Sequence, residues 1–167
     1  MKKKKLALII TAVVILLVGV TSCYAKGPWR GKVIDAETKQ PIEGAAVVAV
    51  FTKKSIAPTG GMIVPFDARE TVTDKNGEFE IPKKWYLSIP YLREVQDPHF
   101  IVYKPGYGIV DTRYYTDMEL TKVLSKKERE QAIRENIGDL SRGKYPYLMK
   151  LINEERKYLG YEPLTGE

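Results

Sequence analysis

From Trp29 to Leu124 the apolar positions fall into short runs separated by turn residues, the pattern of a β domain. Trp29–Asp35 (W-R-G-K-V-I-D) predicts a first strand, and Thr38–Gly44, with Pro41 and Gly44, a turn. Ala45–Thr52 (A-A-V-V-A-V-F-T) is apolar without alternation, which predicts a central strand whose small residues allow close packing of sheets. Residues 53–67 hold two prolines and two glycines and read as a long excursion, partly a hairpin. Arg69–Thr73 and Glu78–Ile81 alternate polar and apolar. Asp74-Lys75-Asn76-Gly77 between them predicts a tight hairpin loop, because Asn and Gly accept positive φ. His99–Tyr103 and Ile109–Tyr115 predict two more strands around a Lys104–Gly108 turn, and Met118–Leu120 closes the sheet. This succession predicts a mainly β, antiparallel sandwich of about seven strands.

The pattern changes after Leu124. Ser125-Lys126-Lys127-Glu128 has the spacing of a capping box, and Ala132, Ile133 and Ile137 share a face beside Arg129. Pro146 suits the first turn of a second helix, whose stripe is Leu148, Leu151, Ile152 and Leu159, and Gly160 suits its end. Neither helix is long enough to stand alone in water, so both are expected to dock on the sandwich.

The other end of the chain is one long apolar run. Lys2–Lys5 precede Leu6–Val20, 15 nearly uninterrupted apolar residues, too few to span a bilayer comfortably and suited to an export signal. Val20-Thr21-Ser22-Cys23 resembles a bacterial lipobox. That resemblance implies cleavage before Cys23, with a diacylglycerol on its thiol and a further fatty acyl group such as palmitate on its new amino terminus. Two or more chains hold a protein stably on a membrane where one does not. Tyr24 is not the Asp that resembles an inner-membrane retention signal, so a diderm cell would place the protein on its outer membrane. Cys23-Tyr24-Ala25 also fits a small-x-Ala site, giving a soluble secreted or periplasmic product, and an uncleaved anchor is a third outcome. The expected organisation is a signal at 1–22, a linker at 23–28, a sandwich at 29–124 and a helical extension at 125–167.

Residues 30–38, 40–45 and 73–79 carry a family resemblance. Gly31-Lys32-Val33-Ile34-Asp35-Ala36, then Gln40-Pro41-Ile42-Glu43-Gly44-Ala45, then Thr73-Asp74-Lys75-Asn76-Gly77-Glu78-Phe79, resemble the carboxypeptidase regulatory-like domain of the transthyretin-like sandwiches. The resemblance covers about Trp29 to Ile81. It implies a Greek-key sandwich and no peptidase activity, which in metallocarboxypeptidases belongs to a separate domain. The same fold class includes a 5-hydroxyisourate hydrolase that uses several histidines and a Tyr-Arg-Gly-Ser-like ending. This chain has one histidine and ends Leu164-Thr165-Gly166-Glu167.

Composition narrows the chemistry further. Across 167 residues the net charge is +6, but without Lys2–Lys5 the 27 basic residues fall to 23 against 21 acidic ones, too even for a nucleic-acid-binding face. One cysteine excludes an internal disulfide, and one histidine leaves no expected metal or cofactor site. Asp74-Lys75-Asn76-Gly77 begins like a calcium loop, but its twelfth position is Trp85, which cannot ligate. Asp97 could orient His99 as a base, though no nucleophile in a recognisable context accompanies them. Trp85, Tyr86 and Tyr91 are the candidate ligand surface, for a glycan or an envelope protein. The expectation is a non-catalytic, lipid-anchored binding or structural module of the cell envelope. The alternatives are a soluble secreted binder of the same fold and a hydrolase. The pattern sets no oligomeric state.

Overall fold

A computed structural model describes residues 4, 10–11, 22–55, 62–88, 93–123, 125–140 and 145–164. Among them are ten strands: β1 (Ser22–Lys26), β2 (Trp29–Asp35), β3 (Ala46–Ser55), β4 (Met62–Val72), β5 (Glu78–Ile81), β6 (Lys84–Ser88), β7 (Arg93–Val95), β8 (His99–Tyr103), β9 (Val110–Thr112) and β10 (Asp117–Leu120). Helices α1 (Lys126–Leu140) and α2 (Pro146–Leu159) follow.

The protein is a mainly β sandwich with a helical layer on one face. One sheet has the order β10-β2-β5 and the other β4-β3-β8-β9, with β7 added beside the far end of β3. These two main paths hold the expected seven strands. Strands β1 and β6 form a separate antiparallel ribbon. One pairing, β10 with β2, is parallel, because the chain returns to the first sheet from β9 in the other.

Strand β3 explains its own composition. Val47, Ala49 and Phe51, with Phe100 of the neighbouring β8, face Val33, Phe79 and Met118 of the other sheet, while Ala46, Val48 and Val50 pack under Ile133, Leu148, Ile152 and Leu159. A strand covered on both faces has no polar side, hence the unbroken apolar run. The helices therefore dock through Ile133 of α1 and the predicted stripe of α2, the side chain of Ile137 lying outside the described residues. Leu148, Ile152 and Leu159 are buried, and Leu151 is partly so. The Ser125 hydroxyl accepts the Glu128 N–H at 3.2 Å, and Gly160 ends α2 at φ 88°.

Three expectations change. Asp74–Gly77 is not a hairpin loop: β4 pairs with β3 and β5 with β2, so this turn carries the chain from one sheet to the other. Gly77 takes the expected positive φ, at 72°, while Asn76 does not, and the Asp74 carboxylate accepts the N–H groups of Asn76 and Glu78. What differs is the partner each strand finds. Residues 23–28, expected as a linker, hold most of β1, because β6 offers that segment an antiparallel partner from Ser22↔Ser88 to Lys26↔Lys84. The strand expected over 109–115 is the shorter β9, since only three of its positions pair with β8.

Candidate functional site

The residues of the family-like motif meet at one corner between the sheets. Asp35 ends β2, and its carboxylate accepts the N–H groups of Glu37 and Thr38, each at 2.9 Å. The Tyr107 hydroxyl donates to the other oxygen at 3.1 Å, and Lys122 Nζ lies 3.5 Å from it. The Thr38 N–H, helped by Glu37 and Tyr107 and opposed by burial, holds this carboxyl down to about 2. Thr73 is buried, and its hydroxyl donates to the Ile42 carbonyl at 2.6 Å while accepting the Ala45 N–H at 2.9 Å. Gly77 (φ 72°) passes so close to β2 that a Cβ there would stand 2.5 Å from the Val33 carbonyl. The polar groups of the motif are occupied by bonds that lock the crossing turn to β2 and the Pro41–Ala45 loop. Their work is architectural.

The candidate base and its orienting acid are not brought together. Asp97 pairs with Lys26 at 2.7 Å, and His99 Nε2 lies 4.0 Å from Asp111 instead. The described residues contain no cluster of three or more His, Cys, Asp or Glu able to hold a metal ion.

The aromatic candidates are split by the pleat of β6. Trp85 is 61% exposed, with Lys83 Nζ 5.5 Å above its ring. Tyr86, the next residue, faces inward against Phe51, Phe66 and Tyr24 and is buried. Its hydroxyl donates to Asp67, which also accepts from Lys84, each at 2.9 Å. Burial, then the Asp67 carboxylate, pushes the Tyr86 hydroxyl up, while the donors on Asp67 outweigh its own burial and push that carboxyl down. Trp85 and Tyr86 therefore do not form one platform, as successive strand residues point to opposite faces. Tyr91 lies outside the described residues. Cys23 sits in β1 opposite Leu87, two residues from the Ala25–Trp85 pair. The proposed leader is described only at positions 4, 10, 11 and 22. No helix of the described residues is long and apolar enough to cross a membrane.

Three features were not readable from residue order. Under the helices, Arg129 of α1 reaches Glu155 of α2, with Nη2 donating to Oε2 at 3.1 Å beside the buried Tyr103 hydroxyl. The Arg129 Nε also touches this carboxylate but off the N–H direction, so Nη2 carries the hydrogen bond. A cavity of about 270 Å³ lies between the helices and the C-terminal segment, with Arg134 and Arg156 on its wall. Both arginines are engaged, Arg134 with Glu130 at 2.7 Å and Arg156 with the Glu162 carbonyl at 2.8 Å. A wider groove of about 800 Å³ opens along the margins of β4 and β5, lined by Arg30, Glu78 and Glu80 among others. Arg30 and Glu80 pair across it at 3.0 Å in the open.

Together these observations define a small β-sandwich module with a helical cap. No protein-family model matches the chain, and no curated protein matches it. Among solved structures, the C-terminal domain of the shaft pilin SpaA from Lactobacillus rhamnosus GG is similar at 15% identity and a TM-score of 0.30, over 61% of this chain and 99% of that one. The fold given above rests on its own strand pairing rather than on that likeness.

Proposed function

We propose that this protein is a non-catalytic module of the bacterial cell envelope, held to a membrane through acylated Cys23 and serving as a binding or scaffolding partner of envelope protein or glycan. The observation that carries the anchoring is the place of Tyr24. Cleavage after Ala25 would remove four of the five residues of β1. With them would go the Tyr24 hydroxyl that accepts the Val95 N–H at 3.1 Å and the ring that packs 6.1 Å from Tyr86. Cleavage before Cys23 keeps both. Of the two cleavage sites, the lipobox keeps four of the five residues of β1 and the site after Ala25 keeps one.

A non-catalytic role is supported by where the polar groups go. The buried polar residues Asp35, Thr73 and Glu155 are all committed to the corner or the helix layer. The corner also accounts for the motif shared with carboxypeptidase regulatory-like domains, which supports placing the sandwich in the transthyretin-like class. Metabolic labelling with an alkyne fatty acid tests the anchor. Wild type is expected to take label and Cys23→Ser to take none, and an unlabelled wild type, with a mature N-terminus at Lys26, would overturn it. In-cell crosslinking from Trp85 should then retain envelope components.

A further inference from the structure

One end of the sandwich differs from the rest of the surface. It is built by the β1–β6 ribbon, the far arms of β3 and β4, and β7. Tyr24 joins the ribbon to β7 through the Val95 N–H, and Lys84 and Tyr86 join it to β4 through Asp67. Four large apolar side chains stand exposed here, Trp85, Ile63, Val64 and Phe66. Lysines accompany two of them: Lys83 lies over Trp85, and Lys53 Nζ lies 3.1 Å from the centroid of Phe66. Among the described side chains of this end Lys26 pairs with Asp97 and Lys84 with Asp67, and Lys53, Lys54 and Lys83 make a basic excess of three. Without Lys2–Lys5 the rest of the chain is nearly balanced.

We propose that this end rests on an anionic lipid surface, with Trp85 in the headgroup layer and the lysines over the phosphates. The proposal rests on the anchoring read above and adds the orientation. Position 23 is two residues from Ala25, about 7 Å along a strand, and Ala25 is opposite Trp85. A fatty acyl group at Cys23 therefore brings Trp85 to the membrane without any linker to hold it away. An indole takes the interface because its body is apolar and its N–H remains wet. Lysines beside it are drawn to anionic headgroups. A surface of apolar residues alone would fit a protein partner equally well. The basic excess, next to the proposed acylation point at Cys23, favours the bilayer.

The test uses the full chain, extracted from membranes and reconstituted into vesicles of phosphatidylcholine and phosphatidylglycerol. Brominated phosphatidylcholine quenches indoles that reach the bilayer, and the emission missing from Trp85→Phe identifies the share of Trp85, since Trp29 is buried in the core. At least an approximately twofold quenching of that share is expected for an interfacial tryptophan. Lys54→Glu with Lys83→Glu should reduce the quenching by half or more, with flotation of the vesicles and protein together unchanged. A chain that floats with the vesicles while Trp85 keeps its full emission overturns the orientation and leaves the anchor standing. A chain that stays behind in the dense fraction overturns both.

Discussion

Val33 and Gly77 approach each other more closely than any side chain at position 77 would allow. The Val33 N–H donates to the Gly77 carbonyl at 2.8 Å, and a Cβ on Gly77 would meet the Val33 carbonyl at 2.5 Å. The turn that crosses between the sheets is thereby pressed onto β2. Gly77→Ala is expected to lose at least about 2 kcal/mol, the left-handed strain and the collision acting together. Gly160→Ala is its control. Gly160 has φ 88° but nothing within 4 Å of the added carbon, so only the conformational cost of about 1 kcal/mol should remain. Urea unfolding of the two variants measures the difference, and equal losses would show that the contact with Val33 does not matter.

Thr73 completes the same corner through its hydroxyl. Thr73→Val keeps the shape and leaves the Ile42 carbonyl and the Ala45 N–H without their partner in a buried place. An unsatisfied buried polar group costs about 1–3 kcal/mol, so the variant should lose at least about 2 kcal/mol. Thr73→Ser restores the hydroxyl and should recover most of it. If Thr73→Ser, which loses only the methyl, is destabilised as much as Thr73→Val, the hydroxyl's two hydrogen bonds would be worth no more than the methyl's packing.

This corner shows what residue order can and cannot convey. The strands at Trp29–Asp35 and His99–Tyr103 were legible because each is a bounded run of β formers, and the helix ends because Ser125, Pro146 and Gly160 act within their own turns. The turn residues Asp74–Gly77 were legible as a turn, but local chemistry does not say whether the flanking strands pair with each other. That choice is made by β2 and β3, whose apolar faces lie far away in the chain. The cap of α2 was hidden for the same reason. Glu70 of β4 accepts the N–H groups of Tyr147 and Leu148 at 2.9 and 3.2 Å, a carboxylate at a helix N-terminus supplied from 77 residues upstream. The exposure of Trp85 and burial of Tyr86 followed from the pleat only once β6 was known to be a strand.

Asp35 makes the corner sensitive to acid. Its folded value of about 2 is below the ordinary 3.8, so the ionised form is favoured by folding. The stabilisation is present above 3.8 and is lost as pH falls through that range towards about 2. Asp35→Asn should be less stable than wild type at neutral pH. Its urea midpoint should also fall less steeply than that of wild type across the same acid window. Parallel slopes for the two proteins would show that other carboxylates, such as Asp67 and Glu130, carry the acid response.

Arg129 and Glu155 tie α1 to α2 above the sheet, with 16% and 3% of their side chains exposed. A buried pair of this kind contributes less by its attraction than it costs when one partner is removed. Glu155→Leu leaves the Arg129 guanidinium, which lies 4.8 Å from the centroid of the Tyr158 ring, without its carboxylate, and a loss of about 3–5 kcal/mol is expected. Removing both charges with Arg129→Met and Glu155→Leu should recover more than half of that loss, since no charge is then stranded. Hydrogen exchange distinguishes where the damage falls. In Glu155→Leu the amides of α2 should exchange faster than those of β2 and β5, because the helices cover only the outer face of the β3 sheet while the core between the sheets keeps its own contacts. Uniform acceleration over both sheets and helices would mean that the helical layer and the sandwich unfold as one unit, and that the chain has no smaller folded core beneath its cap.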